Sequence, residues 1–159
     1  MPLAPRRPHP PTGWKRRLAR LPIRLFRGGL GPLFGGRLLL LIHTGRNSGR
    51  SREVVLEVVG RDRDGWIVAS GFGPGAQWYR NLRSTPAATV QSGRRYHAVT
   101  ARFPTPEEGG RIMAAYARRH PRAARALCRF MGFGVDGSEA AYRAAGEQIP
   151  FVRLEDTGH

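Results

Sequence analysis

The sequence predicts an α+β domain built on a small, mainly antiparallel barrel, and three observations carry that prediction. The apolar runs 38–42 and 54–56 flank a short Gly-rich link, the pattern of two antiparallel strands joined by a loop. Residues 87–91 and 95–103 flank Ser92-Gly93, the pattern of a second hairpin. Helical patterns gather late in the chain, as peripheral pieces beside the strands.

Taken in order, residues 1–13 are Pro-rich and basic and read as a disordered lead. Residues 14–36 form a basic amphipathic segment. Within it Trp14, Leu18, Leu21 and Leu25 share a helical stripe, with Arg16, Arg17, Arg20, Arg24 and Arg27 around them and a kink expected at Pro22. This helix either packs on the domain or lies on an anionic membrane surface. The domain proper spans 37–155. Strands are expected at 37–43, 52–59 and 66–69, and the loop Ser70 to Gly75 can bring backbone close to a flat ligand. Residues 77–82 read as a short helix ended before Pro86. Thr105 and Glu108 form a capping box that opens a helix through about His120. Helical runs at 122–130 and 138–146 follow, and 149–154 closes the chain in extended form.

The net charge is +16, from 27 Lys plus Arg against 11 Asp plus Glu, and Lys15 is the sole lysine. No acid precedes Glu53, so the basic charge is concentrated in the first third of the chain. Such charge selects anionic partners: nucleic acid, membrane headgroups or a multiply charged small molecule. Cys128 is the sole cysteine, which excludes an internal disulfide and a Cys-based zinc site. The five histidines lack ligand spacing, so no metal is expected. The apolar runs are too short to cross a bilayer, and no secretory signal is visible, so the expected location is cytoplasmic, with peripheral membrane contact through residues 14–27.

The densest chemistry lies in His43 to Arg52, read His-Thr-Gly-Arg-Asn-Ser-Gly-Arg-Ser-Arg. Gly45 and Gly49 allow positive φ, so neighbouring N–H groups can turn toward one anion. Arg46, Arg50 and Arg52 add guanidinium forks, and Thr44, Ser48 and Ser51 add hydroxyls. The Gly spacing, the missing Lys and the strand that follows all exclude a Walker loop. A plain basic hairpin turn remains the alternative.

Three pieces in this order and spacing resemble the deazaflavin-dependent nitroreductase family, whose members use coenzyme F420. They are Leu39 to Arg52; Ala69-Ser70-Gly71 with Trp78-Tyr79-Arg80-Asn81-Leu82; and the ending Ile149-Pro150-Phe151-Val152. The resemblance spans roughly residues 15–155. It implies a split β-barrel like that of the flavin-binding pyridoxine-phosphate oxidases, with coenzyme F420 as cofactor and FMN as the alternative. It implies hydride transfer from reduced F420 to a quinone, an enone or a nitroaromatic. Thr44, Arg46, Ser48 and Arg52, with Gly45, Asn47 and Gly49 in the same loop, match positions near the coenzyme's phosphodiester and glutamate tail. Ser70, Gly71, Trp78, Tyr79 and Asn81 match positions lining the deazaflavin. Asn47 stands where Lys is frequent in the family, and Gly71 where some members have Lys. Ser70 and Tyr142 are the candidates for polarising the acceptor. Related split barrels often pair, so a homodimer is also expected.

The same residues admit plainer roles. Trp78, Tyr79 and Tyr142 fit packed aromatics, His43 a satisfied strand histidine, and Cys128 inert packing. Arg118, Arg119, Arg122, Arg125 and Arg129 fit a solvated face. The competing function class is a basic module without catalysis that binds FMN, haem, lipid or nucleic acid, although no nucleic-acid recognition motif is present.

Overall fold

The computed structural model describes residues 38–157. The expected lead at 1–13 and the amphipathic segment at 14–36 lie outside the described residues. Six strands form a closed antiparallel barrel in the order β1-β2-β3-β6-β5-β4, with β4 returning to β1. They are β1 Leu38–Thr44, β2 Ser51–Asp62, β3 Gly65–Ala69, β4 Ala87–Ser92, β5 Arg95–Arg102 and β6 Phe151–Asp156. The α-helices among the described residues are α1 Gln77–Ser84, α2 Pro106–Arg119, α3 Pro121–Phe130 and α4 Glu139–Gly146. This is the α+β barrel that the strand and hairpin pattern predicts.

Period-two alternation sorts the strand residues between two cores. Leu39 and Leu41 of β1, Leu56 of β2, Trp66 and Val68 of β3 and Val152 and Leu154 of β6 fill the barrel interior. The alternate residues, Val59 of β2 and Phe151 of β6, join a second core, with Ile67 and Ala69 of β3 packed against it. The helices supply its other half through Met113 and Tyr116 of α2, Ala124 and Cys128 of α3, and Tyr142 and Ala145 of α4. Leu40 is also buried, so β1 is covered on both faces, and its sequence reads as an unbroken apolar run for that reason. Helix α1 sends Trp78, Tyr79 and Leu82 into the barrel core, so the segment that carries the second motif is anchored by its own aromatics.

The helix ends follow side-chain chemistry. Thr105 accepts a hydrogen bond from the Glu108 N–H while the Glu108 side chain accepts from the Thr105 N–H, the capping box that opens α2. Ser138 accepts from the Ala141 N–H at 3.1 Å and caps α4. Helices α2 and α4 cross where Gly109 meets Gly146. Cys128 is fully buried, and burial pushes its thiol up to about 11, so it acts as packing. Among the described residues no helix is long and apolar enough to cross a membrane, and no cluster of three His, Cys, Asp or Glu could hold a metal ion.

Candidate functional site: a basic loop at the mouth of one cavity

The link between β1 and β2 is fixed by its own backbone. Gly45 N–H donates to the Arg50 carbonyl at 2.8 Å, Gly49 N–H donates to the Gly45 carbonyl at 2.8 Å, and Arg50 N–H donates to Ser48 Oγ at 3.2 Å. Gly49 adopts φ +69°, whereas Gly45 has no positive φ. Gly45 is needed for a different reason: a Cβ there would stand 2.7 Å from Ser48 Oγ. The sequence suggested that these N–H groups turn together toward an anion. Instead, the N–H groups of Gly45, Arg46, Gly49 and Arg50 are used within the protein, because the tight turn must satisfy its own donors. These four donors are spent within the protein, so the loop's side chains are the candidate anion ligands. Among the described residues, Arg46, Arg50 and Arg52 enter no ion pair, while Arg102, Arg118, Arg143 and Arg153 all do.

Arg46 ties this loop to α1. Its N–H donates to Asn81 Oδ1 at 3.1 Å and its Nη1 donates to the same oxygen at 2.8 Å. Asn81 Nδ2 contacts His43 Nδ1 at 3.1 Å. Burial, and secondarily the Arg52 guanidinium, push the His43 imidazole down from 6.5 to about 4, so it is neutral near pH 7. Arg52 is paired with His43 across the β1–β2 ladder, which is how that cation comes to lie so close.

A cavity of about 930 Å³ opens beside this network. Its polar lining includes His43, Arg46, Ser48, Arg52 and Asn81, and β2 contributes the carboxylates Glu53 and Glu57. The apolar lining comes from Leu56 and Val59 of β2, from Phe72 and Trp78, and from Ala123, Ala126, Leu127 and Phe130 of α3. The rings of Phe72 and Phe130 meet edge to face at 5.4 Å. Gly71 makes room for them, since a Cβ there would stand 3.3 Å from Phe130 Cε1. Phe130 is about half exposed, an uncommon position for a large apolar side chain.

The cavity brings together Gly45, Arg46, Asn47, Ser48, Arg52, Gly71, Trp78 and Asn81. Thr44, Gly49, Ser70 and Tyr79 are not part of its lining. Tyr79 is buried in the barrel core, and its hydroxyl accepts from Arg83 at 3.0 Å. Ser70 is fully buried at the end of β3, and its hydroxyl donates to the Gly73 carbonyl at 2.5 Å. Tyr142 lies elsewhere, lining a second cavity of about 710 Å³ with Arg118, Arg122 and Arg125. Of the two candidates for polarising the acceptor, Ser70 has its hydroxyl committed to the Gly73 carbonyl and Tyr142 lines the second cavity, so the structure does not bring them together. Sequence reading gave no site role to Phe72 or to the inner face of α3, and it read His43 as a satisfied strand histidine. The α3 residues carry a visible signal, since Ala123, Ala126, Leu127 and Phe130 follow the i, i+3, i+4, i+7 spacing of one helix face.

Residues 14–127 match the profile of the F420H(2)-dependent quinone reductase family. The chain belongs to that family. It is accordingly an F420-dependent oxidoreductase, and its cofactor is coenzyme F420. No curated protein matches it. Among solved structures, an F420-H2-dependent reductase named FDR-A is similar at 21% identity, with 76% of this chain and 94% of that chain covered and a TM-score of 0.51. A structure described as a domain-swapped dimer is similar at 21% identity, 84% and 99% coverage and a TM-score of 0.52. HutZ, the heme storage protein from Vibrio cholerae, is similar at 13% identity, 89% and 92% coverage and a TM-score of 0.54. At these identities the likeness shows a common fold. The cavity of this quinone reductase family member suits its coenzyme chemically: guanidinium groups that pair with no acid among the described residues for an anionic tail, and an apolar, aromatic wall for a flat ring.

Proposed function

We propose that this reductase delivers a hydride to an electron-poor acceptor, a quinone, an enone or a nitroaromatic, inside the cavity bounded by the 45–52 loop, β2 and α3. One observation carries the reading: Arg46 and Arg52 share a single cavity with Leu56, Phe72, Trp78, Leu127 and Phe130. A ligand that is both multiply anionic and flat needs that combination. When bound, the reduced deazaflavin supplies the hydride from its C5. The guanidinium groups of Arg46 and Arg52 and the Ser48 hydroxyl hold the phosphodiester and the glutamate tail. Trp78, Asn81 and the bare backbone at Gly71 border the ring. The apolar face of α3 excludes water and seats the acceptor against it. Because the Ser70 hydroxyl is engaged with Gly73 and Tyr142 lines another cavity, the accompanying proton is assigned to solvent.

The test mixes the purified chain with reduced coenzyme and menadione and follows the absorbance of the oxidised deazaflavin. Oxidation that requires both protein and acceptor is expected. Absence of turnover with menadione, an enone and a nitroaromatic alike would overturn the acceptor assignment.

Two companion proposals concern partners. The Arg-rich stripe of residues 14–27 supports reversible attachment to anionic membranes, each basic residue contributing about 1 kcal/mol near the surface. The full chain should then pellet with anionic vesicles, not with neutral ones, and less as salt rises; equal pelleting with both would rule this out. A homodimer is supported by the pairing of related split barrels, and a solution mass of one chain by light scattering would remove it.

A further inference from the structure

His43 sits at the end of β1, in the same alternating row as Leu39 and Leu41, where the barrel interior gives way to the cavity. Its partner Asn81 is fixed in orientation. Two donors, the N–H and the Nη1 of Arg46, converge on Asn81 Oδ1. An amide whose oxygen is held this way offers only its NH2 to a third partner. That NH2 meets His43 Nδ1 at 3.1 Å, so Nδ1 is the acceptor. A neutral imidazole accepting at Nδ1 carries its one proton on Nε2. Among the described residues Nε2 has no hydrogen-bond partner. With Nδ1 engaged by Asn81, the Nε2–H is the polar edge that His43 has left to offer the cavity it lines.

We propose that His43 is a ligand-contacting residue of the coenzyme site: its Nε2–H donates to a carbonyl oxygen on the rim of the bound deazaflavin. The inference rests on the coenzyme reading above. It gives a role to a histidine that otherwise reads as a satisfied strand residue, and it makes Arg46 and Asn81 positioning residues as well as cavity lining. A neutral donor suits this place. Arg46 and Arg52 already supply charge for the anionic tail, whereas an uncharged ring edge needs a directional donor.

The experiment uses the unmodified full chain labelled with 15N-histidine, so no variant has to fold. Without coenzyme, NMR should show the His43 ring proton on Nε2, and saturating oxidised coenzyme F420 should shift that proton. A proton on Nδ1, or an Nε2–H unmoved by saturating coenzyme, would overturn the inference. If the unmodified chain binds no coenzyme while the Nε2–H form is present, the coenzyme reading itself fails, which is a separate result. Two variants add affinity. His43→Phe should weaken coenzyme binding about tenfold, the loss of one neutral hydrogen bond, while His43→Gln, whose amide reaches toward the Nε2 position, should stay within about threefold. Unchanged coenzyme affinity in His43→Phe with a raised KM for menadione would place the donor on the acceptor and overturn the assignment.

Discussion

Arg46→Ala is expected to weaken coenzyme binding roughly ten- to a hundredfold, the loss of a charge-assisted hydrogen bond worth on the order of 1–3 kcal/mol. The substitution is well suited to the question. The Arg46 N–H still donates to Asn81 Oδ1 after the side chain is gone, so α1 stays tied to the loop, and the affinity change reports the guanidinium together with its bond to Asn81. Arg122→Ala is the control. Arg122 is exposed on α3 and lines the second cavity, so its removal should leave coenzyme affinity within about twofold, as for surface changes away from a site. A deazaflavin fluorescence titration of both variants checks this, and an equal loss from the two would mean that the loop is not the anion site.

The second large effect concerns stability. Replacing a helical glycine by alanine usually stabilises a protein by roughly 0.5–1 kcal/mol, through backbone entropy. At Gly146 the sign should reverse. A Cβ there would stand 2.4 Å from the Gly109 carbonyl oxygen and 2.6 Å from Met113 Cβ, both on α2. Neither atom is the loose end of a side chain, so α4 would have to move off α2 and strain the core formed by Met113, Tyr142, Ala145 and Phe151. Overpacking of this kind costs on the order of 1–3 kcal/mol. Gly146→Ala should therefore lower the denaturant midpoint at unchanged slope. A raised midpoint would mean that the two helices do not approach this closely.

The barrel was legible because its strands announce themselves locally. The Ser92-Gly93 turn, the run through Leu39 to Leu41 and the capping box at Thr105 each depend on residues within a few positions of one another. The arginines of the 45–52 loop were legible as candidate anion ligands, but the use of its N–H groups was not. That depends on Asn81, 35 residues away, and on how tightly the turn closes on the Arg50 carbonyl. Ser70 and Tyr79 belong to the motif yet do not line the cavity: Ser70 is bonded to the Gly73 carbonyl and Tyr79 is buried in the barrel core, since side-chain direction follows strand register and helix rotation, which a motif does not encode. His43 shows the reverse case. Parity with Leu39 and Leu41 places it in the inward row, but Leu40 and Ile42 are apolar too, so the run conceals which face is which. The packing of α2, α3 and α4 against Val59, Ile67, Ala69 and Phe151 joins residues far apart in the chain, and no local pattern predicts it.

The central claim is that coenzyme F420 occupies the cavity between the 45–52 loop, α1 and α3. Hydrogen–deuterium exchange of the full chain with and without saturating coenzyme tests it most directly. Bound coenzyme should protect backbone amides in residues 45–52 and 76–81, the segments joined through Arg46 and Asn81. Protection confined to residues 117–122 and 137–142, around the cavity of Arg118, Arg122 and Tyr142, would contradict the account.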